Sequence, residues 1–382
     1  MNNWIDPFRN PAVADVLAGR IRDLGQQLML QRPGPVRIME VCGSHTMSIA
    51  RYGLRDLLPP QVDLVSGPGC PVCVTDTGYL DTAIALARRG VIIATFGDML
   101  NVPGSDTTLG RVRSEGARIE VCYSPSEALS HARQNPGKEV VFLAIGFETT
   151  IGPVISLIDP ARAEGLKNLS LLVAFKRIPP ALALLRADPE LAIDAFLCPA
   201  HVSAIIGAQA YTFLTGPGGI PCVIAGFEPL DILIGIEHIL RQKLEGEARV
   251  ENLYNRVVRE TGNLRAQALI ERILEPVSTP WRGLGVLPDS GLALRPAYED
   301  FDAPRKLGVP LKTGEPPTAC RCGDVIKGKL HPPECPLFGR ACNPDHPVGP
   351  CMVSAEGSCA AAYKYARLAE PEQGKISSKG LK

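Results

Sequence analysis

Cysteine is the residue type with the greatest chemical potential in this sequence, and it is unevenly placed. Six of the 12 cysteines in the 382-residue chain lie between Cys320 and Cys359. Prolines at positions 332, 333, 336, 344, 347 and 350 lie among them, so this segment can form few backbone hydrogen bonds. Thiolates bound to one metal centre would stabilise such a loop, because the free energy of metal binding then becomes free energy of folding.

The spacing of these cysteines indicates which centre they form. Structural zinc sites usually use closely paired C-x2-C ligands, whereas a cubane cluster, whose four irons each take one thiolate, suits wide spacing. Intervals of six, eight and seven residues separate the last four cysteines. We therefore predict a [4Fe–4S] cluster bound by Cys335, Cys342, Cys351 and Cys359. Cys320 and Cys322 are then substitutes or an auxiliary redox pair, and zinc and unliganded thiols are the alternatives.

A second motif, Gly-Pro-Gly-Cys-Pro-Val-Cys at residues 67–73, follows a predicted strand and precedes a predicted helix. The dipole and the free N–H groups of a helix N-terminus stabilise a thiolate. Cys70 and Cys73 are therefore a candidate dithiol that exchanges two electrons as a reversible disulfide or binds a soft metal. The alternative is a pair of small apolar core residues.

A third motif, Glu-Val-Cys-Gly-Ser-His-Thr at residues 40–46, also follows a predicted strand. Cys42 and His45 are three positions apart and can face one site, where the imidazole would bond or deprotonate the thiol. A histidine at the start of a helix is more often a cap or a packing residue, and this alternative stays open.

The remaining cysteines, Cys122, Cys198 and Cys222, lie in or beside apolar predicted strands. Free cysteine often behaves as a small buried hydrophobe, which is our expectation for all three. Cys198 is a possible exception, because His201 follows it by three residues.

Short apolar runs rich in β-branched residues must position these motifs. Strands are predicted at residues 36–41, 62–66, 91–96, 118–123, 139–145, 169–175, 193–197 and 220–225. Helices are predicted between them, for example at residues 76–89, 124–134 and 179–187. Apolar strands that alternate with helices indicate parallel sheets covered on both faces. Residues 230–274 are predicted to be mainly helical, and the residues after Pro276 to form glycine- and proline-rich loops.

Acidic residues recur where predicted strands end. Gly-Phe-Glu occurs at residues 146–148 and 226–228, and Phe-Gly-Asp at residues 96–98 is a looser copy. Glu148, Glu228 and Asp98 would then lie at the edge where open α/β sheets bind ligands. The alternative is that each acid only caps the following helix.

Composition and charge argue against several classes of protein. Lysine plus arginine equals aspartate plus glutamate at 40 each, so no overall field draws the chain to nucleic acid or to an anionic membrane. The first residues lack the apolar core of a secretory signal, and apolar runs are too short to span a bilayer, so we expect a cytoplasmic protein. No G-x-x-x-x-G-K-[ST] loop and no clear G-x-G-x-x-G motif indicates nucleotide binding.

Five segments together resemble the HypD family of hydrogenase maturation proteins, over nearly the whole chain. Their order and joint occurrence are specific, although each motif is modest alone. They are Cys42-Gly43-Ser44-His45-Thr46, Gly67-Pro68-Gly69-Cys70-Pro71-Val72-Cys73, Gly146-Phe147-Glu148-Thr149-Thr150, Pro199-Ala200-His201-Val202-Ser203 and Gly349-Pro350-Cys351-Met352-Val353-Ser354-Ala355-Glu356-Gly357.

The resemblance implies a fold of class α/β, with two similar parallel-sheet domains and a Cys-rich, loop-rich C-terminal iron–sulfur domain. We place the N-terminal segment at residues 1–30, with the C-terminal domain as one option for its packing. The α/β domains then occupy residues 31–135 and 136–250. A helical and iron–sulfur domain follows at residues 251–370, and the tail at residues 371–382 is expected to be disordered.

The resemblance also implies a function. With the small chaperone HypC, proteins of this family carry an iron that acquires two cyanides and one carbon monoxide. HypE, charged by HypF, supplies the cyanide, and the finished group passes to the large subunit of [NiFe]-hydrogenase. Such a protein is a scaffold with redox activity rather than a conventional turnover enzyme.

On this hypothesis Cys42 binds the iron beside a cysteine of HypC, and His45 orients or deprotonates it. Cys70 and Cys73 act as a dithiol relay between the [4Fe–4S] cluster and the iron. Glu148, together with Asp98 and Glu228, would line the cleft at the strand ends. These acids would transfer protons or face a partner protein.

Two other hypotheses use the same residues. A [4Fe–4S]-dependent thiol/disulfide reductase would pass electrons to Cys70 and Cys73 and leave Cys42 without a metal. A zinc-stabilised interaction protein would be colourless.

Overall fold

Two β-sheets position the motifs. The computed structural model describes residues 6–312, 314 and 319–369, and the predicted tail at residues 371–382 lies outside them. The strands in this part of the chain are β1 (Val36–Glu40), β2 (Val62–Ser66), β3 (Ile92–Thr95), β4 (Ile119–Val121), β5 (Val140–Gly146), β6 (Leu169–Lys176), β7 (Ala195–Cys198), β8 (Cys222–Ile224), β9 (Val250–Asn252), β10 (Leu274–Trp281) and β11 (Gly285–Leu294).

The order of strands differs between the sheets. The first sheet has the order β2-β1-β7-β8-β9, and all its neighbours are parallel. The second has the order β10-β11-β6-β5-β3-β4, parallel from β6 to β4 and antiparallel in the β10–β11 hairpin and where β11 meets β6. Parallel strands cannot be joined by tight turns, so crossover segments with helices connect them.

Helices cover the sheets. They are α1 (Pro11–Gln31), α2 (Gly43–Arg51), α3 (Leu54–Leu57), α4 (Pro71–Val74), α5 (Thr77–Arg88), α6 (Leu109–Ser114), α7 (Ser126–Gln134), α8 (Glu148–Ile155), α9 (Ile158–Ala163), α10 (Ile178–Ala187), α11 (Ala200–Ile206), α12 (Pro229–Glu245), α13 (Leu264–Ile273), α14 (Ala303–Leu307), α15 (Cys322–Ile326) and α16 (Ser358–Ala369). Every residue of β5 is buried, as expected for a strand covered on both faces. Among the described residues, no helix combines the length and the apolar character needed to cross a membrane.

The N-terminal helix α1 packs on the first sheet and on α12. Its buried residues Leu17, Ile21 and Leu28 share one apolar core with Ile38 of β1 and Ile232 of α12. Apolar residues at helical spacing give α1 a single buried face, and α12 presents the matching surface. Helix α1 therefore lies against the first sheet, and the packing of the whole N-terminal segment stays a prediction.

The predicted fold class is confirmed, and so are the eight predicted strands and the three named helices. Helix α5 shows why sequence patterns succeed here. The side chain of Asp76 accepts a hydrogen bond from the N–H of Gly78 at 2.8 Å and caps the helix. A largely buried apolar face follows, so capping and periodicity agree.

Residues 230–274 are mainly helical, as predicted, with β9 in the break between α12 and α13. The prediction was wrong for the residues after Pro276, which were expected to be loops and form the β10–β11 hairpin. Pro276 and Pro280 lie in β10, which is the outer strand of the second sheet. An edge strand tolerates proline, because an N–H group that would face solvent is not needed for pairing.

The strands of the two sheets are interleaved along the chain. The first sheet combines β1 and β2 with β7 to β9, whereas β3 to β6 between them belong to the second sheet. The chain therefore passes to the second sheet after β2, returns after β6, and passes over again to form the hairpin. Each sheet is assembled from separate segments of the chain, and the predicted domain boundaries stay predictions.

Trp281 at the end of β10 anchors the hairpin in the core. Its side chain is buried, stacks on Phe147 with ring centroids 5.9 Å apart, and donates from Nε1 to Ser290 Oγ at 2.8 Å. We expect Trp281→Ala to lower the free energy of unfolding by about 3–5 kcal/mol, because it leaves a cavity in a packed core.

Urea unfolding followed by circular dichroism measures this loss. Leu264→Ala is the control, since that side chain is 63% exposed and should change stability by less than about 0.5 kcal/mol. Equal stability of the two variants would contradict the anchoring role of Trp281.

Candidate functional site

The loops that follow four parallel strands of the first sheet meet at one edge. The carboxyl ends of β2, β1, β7 and β8 lie side by side, because these strands are parallel neighbours. Two motifs that are separate in the sequence are therefore neighbours in space. In order across the sheet, the four loops contain Cys70 and Cys73, then Cys42, then His201, then Phe227.

Cys42 lies directly after β1 at the N-terminus of α2 and is buried. The N–H of Gly43 donates to the carbonyl of Gly69 at 3.2 Å. Since Gly69 immediately precedes Cys70, this hydrogen bond ties the Cys42 loop to the loop of the second cysteine pair.

Burial, with a smaller contribution from the Glu356 carboxylate, raises the pKa of the Cys42 thiol to about 12. The N–H groups of Ser44 and His45 act in the opposite direction and are outweighed. The thiol is thus protonated in the absence of a cation. A bound metal ion would reverse that preference, because its charge stabilises the thiolate.

His45 is fully buried in the first turn of α2. Its Nε2 lies 3.1 Å from the carbonyl oxygen of Ala225 and 2.9 Å from that of Gly226, so Nε2 carries the hydrogen and donates it. Burial lowers the pKa of His45 to about 4, so the ring is neutral, and Nδ1 has no hydrogen-bond partner among the described residues. The ring therefore joins α2 to the end of β8, and its predicted action on Cys42 stays a prediction.

Cys70 and Cys73 are joined as a disulfide, with Cα atoms 5.3 Å apart. Both are buried, and Cys70 caps the short helix α4. They share one apolar core with Trp281 and with the C-terminal cysteines Cys322 and Cys351. The pair therefore lies between the edge of the first sheet and the C-terminal segment, and its redox role stays a prediction.

Glu148 is buried at the N-terminus of α8, where β5 ends. Its Oε1 accepts a hydrogen bond from the N–H of Ile178 at 3.0 Å, and its Oε2 has no partner in the described part of the chain. Burial raises the pKa of Glu148 to about 7. This carboxyl group can therefore gain or lose a proton near neutral pH.

The other strand-end acids have different surroundings. Asp98 accepts a hydrogen bond from Ser354 Oγ at 3.4 Å, so it contacts the C-terminal segment. Glu228 is ion-paired with Arg9, whose Nη2 lies 2.9 Å from Glu228 Oε1. The three acids are thus not equivalent, and Glu228 is bound to the N-terminal segment.

Glu356 belongs to the site beside Cys42, and sequence reasoning did not single it out. Its Oε1 accepts a hydrogen bond from Ser44 Oγ at 3.2 Å. Burial raises the pKa of Glu356, and the nearby Asp98 raises it further, against the effect of Ser44. The residue stands in the recognised segment at residues 349–357, but nothing in that spacing indicates contact with a residue 312 positions away.

Five of the six C-terminal thiols form one group, with Cys322 at its centre. The Cys322 thiol contacts those of Cys320, Cys351 and Cys359, and Cys342 is close enough to influence Cys320 and Cys359. These contacts lower the pKa of Cys322 and raise the pKa of its three partners. These five thiols therefore share one negative charge most readily. Deprotonation of a further thiol would need a nearby cation to stabilise it.

The predicted ligand set overlaps this group only in part. Among the described residues, Cys335 is half-buried and enters none of these thiol contacts, whereas Cys320 and Cys322, first set aside, lie inside the group. A Cβ at Gly349 would lie 2.4 Å from the sulfur of Cys320 and 2.6 Å from that of Cys322, so glycine leaves the space that the sulfurs occupy. This sulfur donor set fits an iron–sulfur cluster.

The arrangement is not yet that of a coordination sphere. Across residues 6–312, 314 and 319–369, no group of three or more His, Cys, Asp or Glu side chains is arranged to hold a metal ion. Cluster binding and its ligand set therefore stay predictions.

The three strand cysteines, Cys122, Cys198 and Cys222, are buried, as expected. Cys198 of β7 and Cys222 of β8 contact each other through their thiols. The His201 ring lies 4.1 Å from the Phe227 ring, and the His45 ring lies 4.9 Å from the same phenylalanine. Phe227 therefore packs against both histidines.

Comparison with known proteins agrees with this architecture. The family model "HypD: Hydrogenase formation hypA family" matches residues 14–366. A hydrogenase maturation factor HypD of Azotobacter vinelandii is 48% identical over 375 residues, which cover 95% of this chain and 97% of the relative. The factor of the same name from Escherichia coli K12 is 42% identical over 365 residues, which cover 95% of this chain and 98% of the relative.

Fold and site together define an α/β protein with two parallel-dominated sheets and a C-terminal segment that groups thiols beside them. Its match to the family model extends over nearly the full chain, and the two relatives are aligned over almost their whole length. The chain belongs to the HypD family of hydrogenase maturation factors.

The raised pKa of Glu148 predicts a pH dependence of stability. A carboxyl whose pKa rises from 4.5 to about 7 on folding stabilises the fold fully below its unfolded pKa, and this contribution is lost as the pH rises through the folded value. Between pH 5 and 8 the wild-type chain should lose roughly 2–3 kcal/mol of unfolding free energy that Glu148→Gln retains.

Denaturant unfolding at several pH values measures the difference between the two proteins. Glu271→Gln is the control, because that side chain is exposed, and it should follow the wild-type pH profile. The burial argument fails if Glu148→Gln and wild type lose the same stability between pH 5 and 8.

Proposed function

We propose that this chain is the scaffold on which the Fe(CN)2CO group of a [NiFe]-hydrogenase is assembled. It holds the iron together with a HypC-type chaperone, receives cyanide from HypE with HypF upstream, and releases the group towards the hydrogenase large subunit. The observation that supports this most directly is the placement of Cys42. Its buried thiol lies at the carboxyl edge of a parallel sheet, where ligands bind in α/β folds. The nearby carboxylates of Glu40 and Glu356 both raise its pKa.

The chemistry of Cys42 suits iron that bears cyanide and carbon monoxide. Such iron is electron-rich and low-spin, and a thiolate is a suitable soft ligand for it. Because burial keeps the free thiol protonated, iron binding must displace a proton. Glu356 lies near enough to Cys42 to raise its pKa and has a raised pKa itself, so it is a candidate acceptor of that proton.

The disulfide and the C-terminal thiols support a redox role beside the iron. When bound, a [4Fe–4S] cluster would supply electrons one at a time. Cys70 and Cys73 take up two electrons and two protons when their disulfide opens. They share a core with Cys322. The hydrogen bond from the N–H of Gly43 to the carbonyl of Gly69 ties their loop to Cys42. The disulfide therefore lies between the two proposed metal sites.

An infrared spectrum of protein purified without oxygen, after co-expression with a HypC-type chaperone, tests the scaffold. Cyanide and carbonyl stretching bands are expected in the wild type and should vanish in Cys42→Ala, because the iron loses its ligand. Cys122→Ala is the matched control and should keep the bands. It removes another buried thiol just beyond the end of a parallel strand, but in the second sheet.

Visible absorption of the cluster separates the two metal sites and should persist in Cys42→Ala. Full cyanide and carbonyl bands in that variant would remove Cys42 as the ligand. Wild-type protein with bound chaperone and cluster, but without any such bands, would contradict the scaffold itself.

The thiol contacts also predict which cysteines hold the cluster. We expect Cys322→Ala to lose most of its iron and acid-labile sulfide, because Cys322 is the centre of the thiol group. Cys335→Ala should keep both, since Cys335 lies outside the group. Iron and sulfide analysis of the two purified variants decides, and the reverse result would restore the set with Cys335, Cys342, Cys351 and Cys359.

A second candidate function is a [4Fe–4S]-dependent thiol/disulfide reductase. The shared core of the disulfide and the C-terminal thiols favours this function, because it brings the proposed electron donor and the disulfide together. In that case Cys42 binds no metal, the diatomic bands are absent, and reduction of a protein disulfide depends on Cys70 and Cys73.

A further inference from the structure

Arg282 lies in the turn of the β10–β11 hairpin and is only 5% exposed. Its backbone N–H donates to the carbonyl of Val74 at 2.9 Å, and its Nε donates to the carbonyl of Thr75 at 2.9 Å. Val74 ends α4, and Thr75 is the residue that follows it. One side of Arg282 is therefore fixed to the helix that carries the Cys70–Cys73 disulfide.

The other side of the guanidinium group is buried without partners. Nη1 and Nη2 make no hydrogen bond in the described part of the chain. Arginine stays charged in proteins, and a buried charged donor without an acceptor is less favourable than a neutral one. The fold therefore holds a fixed cation with free donors, and this arrangement requires an acceptor.

The thiols of the C-terminal segment are the groups that this cation faces. The acidic groups near enough to act on Arg282 are, in order of strength, the thiols of Cys322, Cys351 and Cys320 in their ionised forms, followed by Asp76. Trp281 and Leu284, close to Arg282 in the chain, pack in the same core as Cys322 and Cys351. The next residue, Gly283, packs against Gly323, beside Cys322. A Cβ on Gly283 would lie 2.5 Å from the Cα of Gly323, so this contact fixes the turn against the start of α15.

We propose that Arg282 is a positioning residue that donates hydrogen bonds from Nη1 and Nη2 to the sulfur atoms of the cluster and raises its reduction potential. The inference rests on the proposed function, because it requires a cluster at the C-terminal thiols. Reduction adds negative charge to the cluster, and a fixed cation and hydrogen bonds to sulfur stabilise the reduced form more than the oxidised one. Through Val74 and Thr75, the same side chain connects the cluster site to the disulfide helix.

A redox titration followed by electron paramagnetic resonance tests the effect on the potential. In Arg282→Gln the equilibrium constant for one-electron reduction should fall by at least about tenfold, which is about 59 mV towards more negative values. Arg321→Gln is the matched control, because Arg321 lies next to Cys322 in sequence but is exposed and paired with Asp324. Solvent screens its charge, so its shift should be much smaller.

A second measurement does not depend on a stable Gln variant. Electron–nuclear double resonance of the reduced wild-type cluster, with arginine labelled by ¹⁵N, should detect coupled arginine nitrogens and exchangeable protons. The coupled arginine ¹⁵N signal should disappear in Arg282→Lys, which keeps the charge and loses the planar donor pair.

The outcomes separate this inference from the proposed function. An intact cluster with the wild-type potential in Arg282→Gln, or without arginine coupling in the wild type, overturns the role of Arg282 and leaves the scaffold standing. Wild-type protein without iron and sulfide overturns the cluster, and the inference falls with it.

Discussion

Burial of ionisable groups without a matching cation is the constraint on which the rest of this structure depends. An apolar interior disfavours any charge that is not compensated, so Cys42 is driven towards its protonated form and Glu148 towards a pKa near neutrality. The same burial makes these groups respond strongly to a metal ion. A buried thiol of this kind is protonated without a cation and becomes a thiolate when a cation binds.

The path of the chain brings these groups together. Because β1 and β2 pair with β7 and β8, loops from distant parts of the sequence meet at the carboxyl edge of the first sheet. The second sheet adds Glu148 and Asp98 from its own strand ends, and the hairpin inserts Trp281 between the sheet and the cysteine-rich segment. Glu356 then closes the arrangement by reaching Ser44 from the far end of the chain.

Local patterns made much of the fold and some of the site predictable. Buried parallel strands are continuous apolar runs, and capping by Asp76 marks the start of α5, so these elements could be found from the sequence. The hairpin could not, because Pro276 and Pro280 are typical of loops and are tolerated only at a sheet edge. Which strands pair is a property of the whole chain. For this reason the contacts of Glu356 and Arg282, and the place of Cys322 among the thiols, needed the three-dimensional arrangement.

The interleaved order of the strands has a consequence for synthesis on the ribosome. Strands β1 and β2 emerge first, but β7, the next partner of β1, ends at Cys198, so about a third of the chain must follow before β7 can join them. Until then the thiols of Cys42, Cys70 and Cys73 have no cover from the C-terminal segment, which is made last. A nascent chain exposes reactive sulfur for most of its translation, and domains that complete early cannot shield it. Premature oxidation of these thiols is the hazard that this topology imposes.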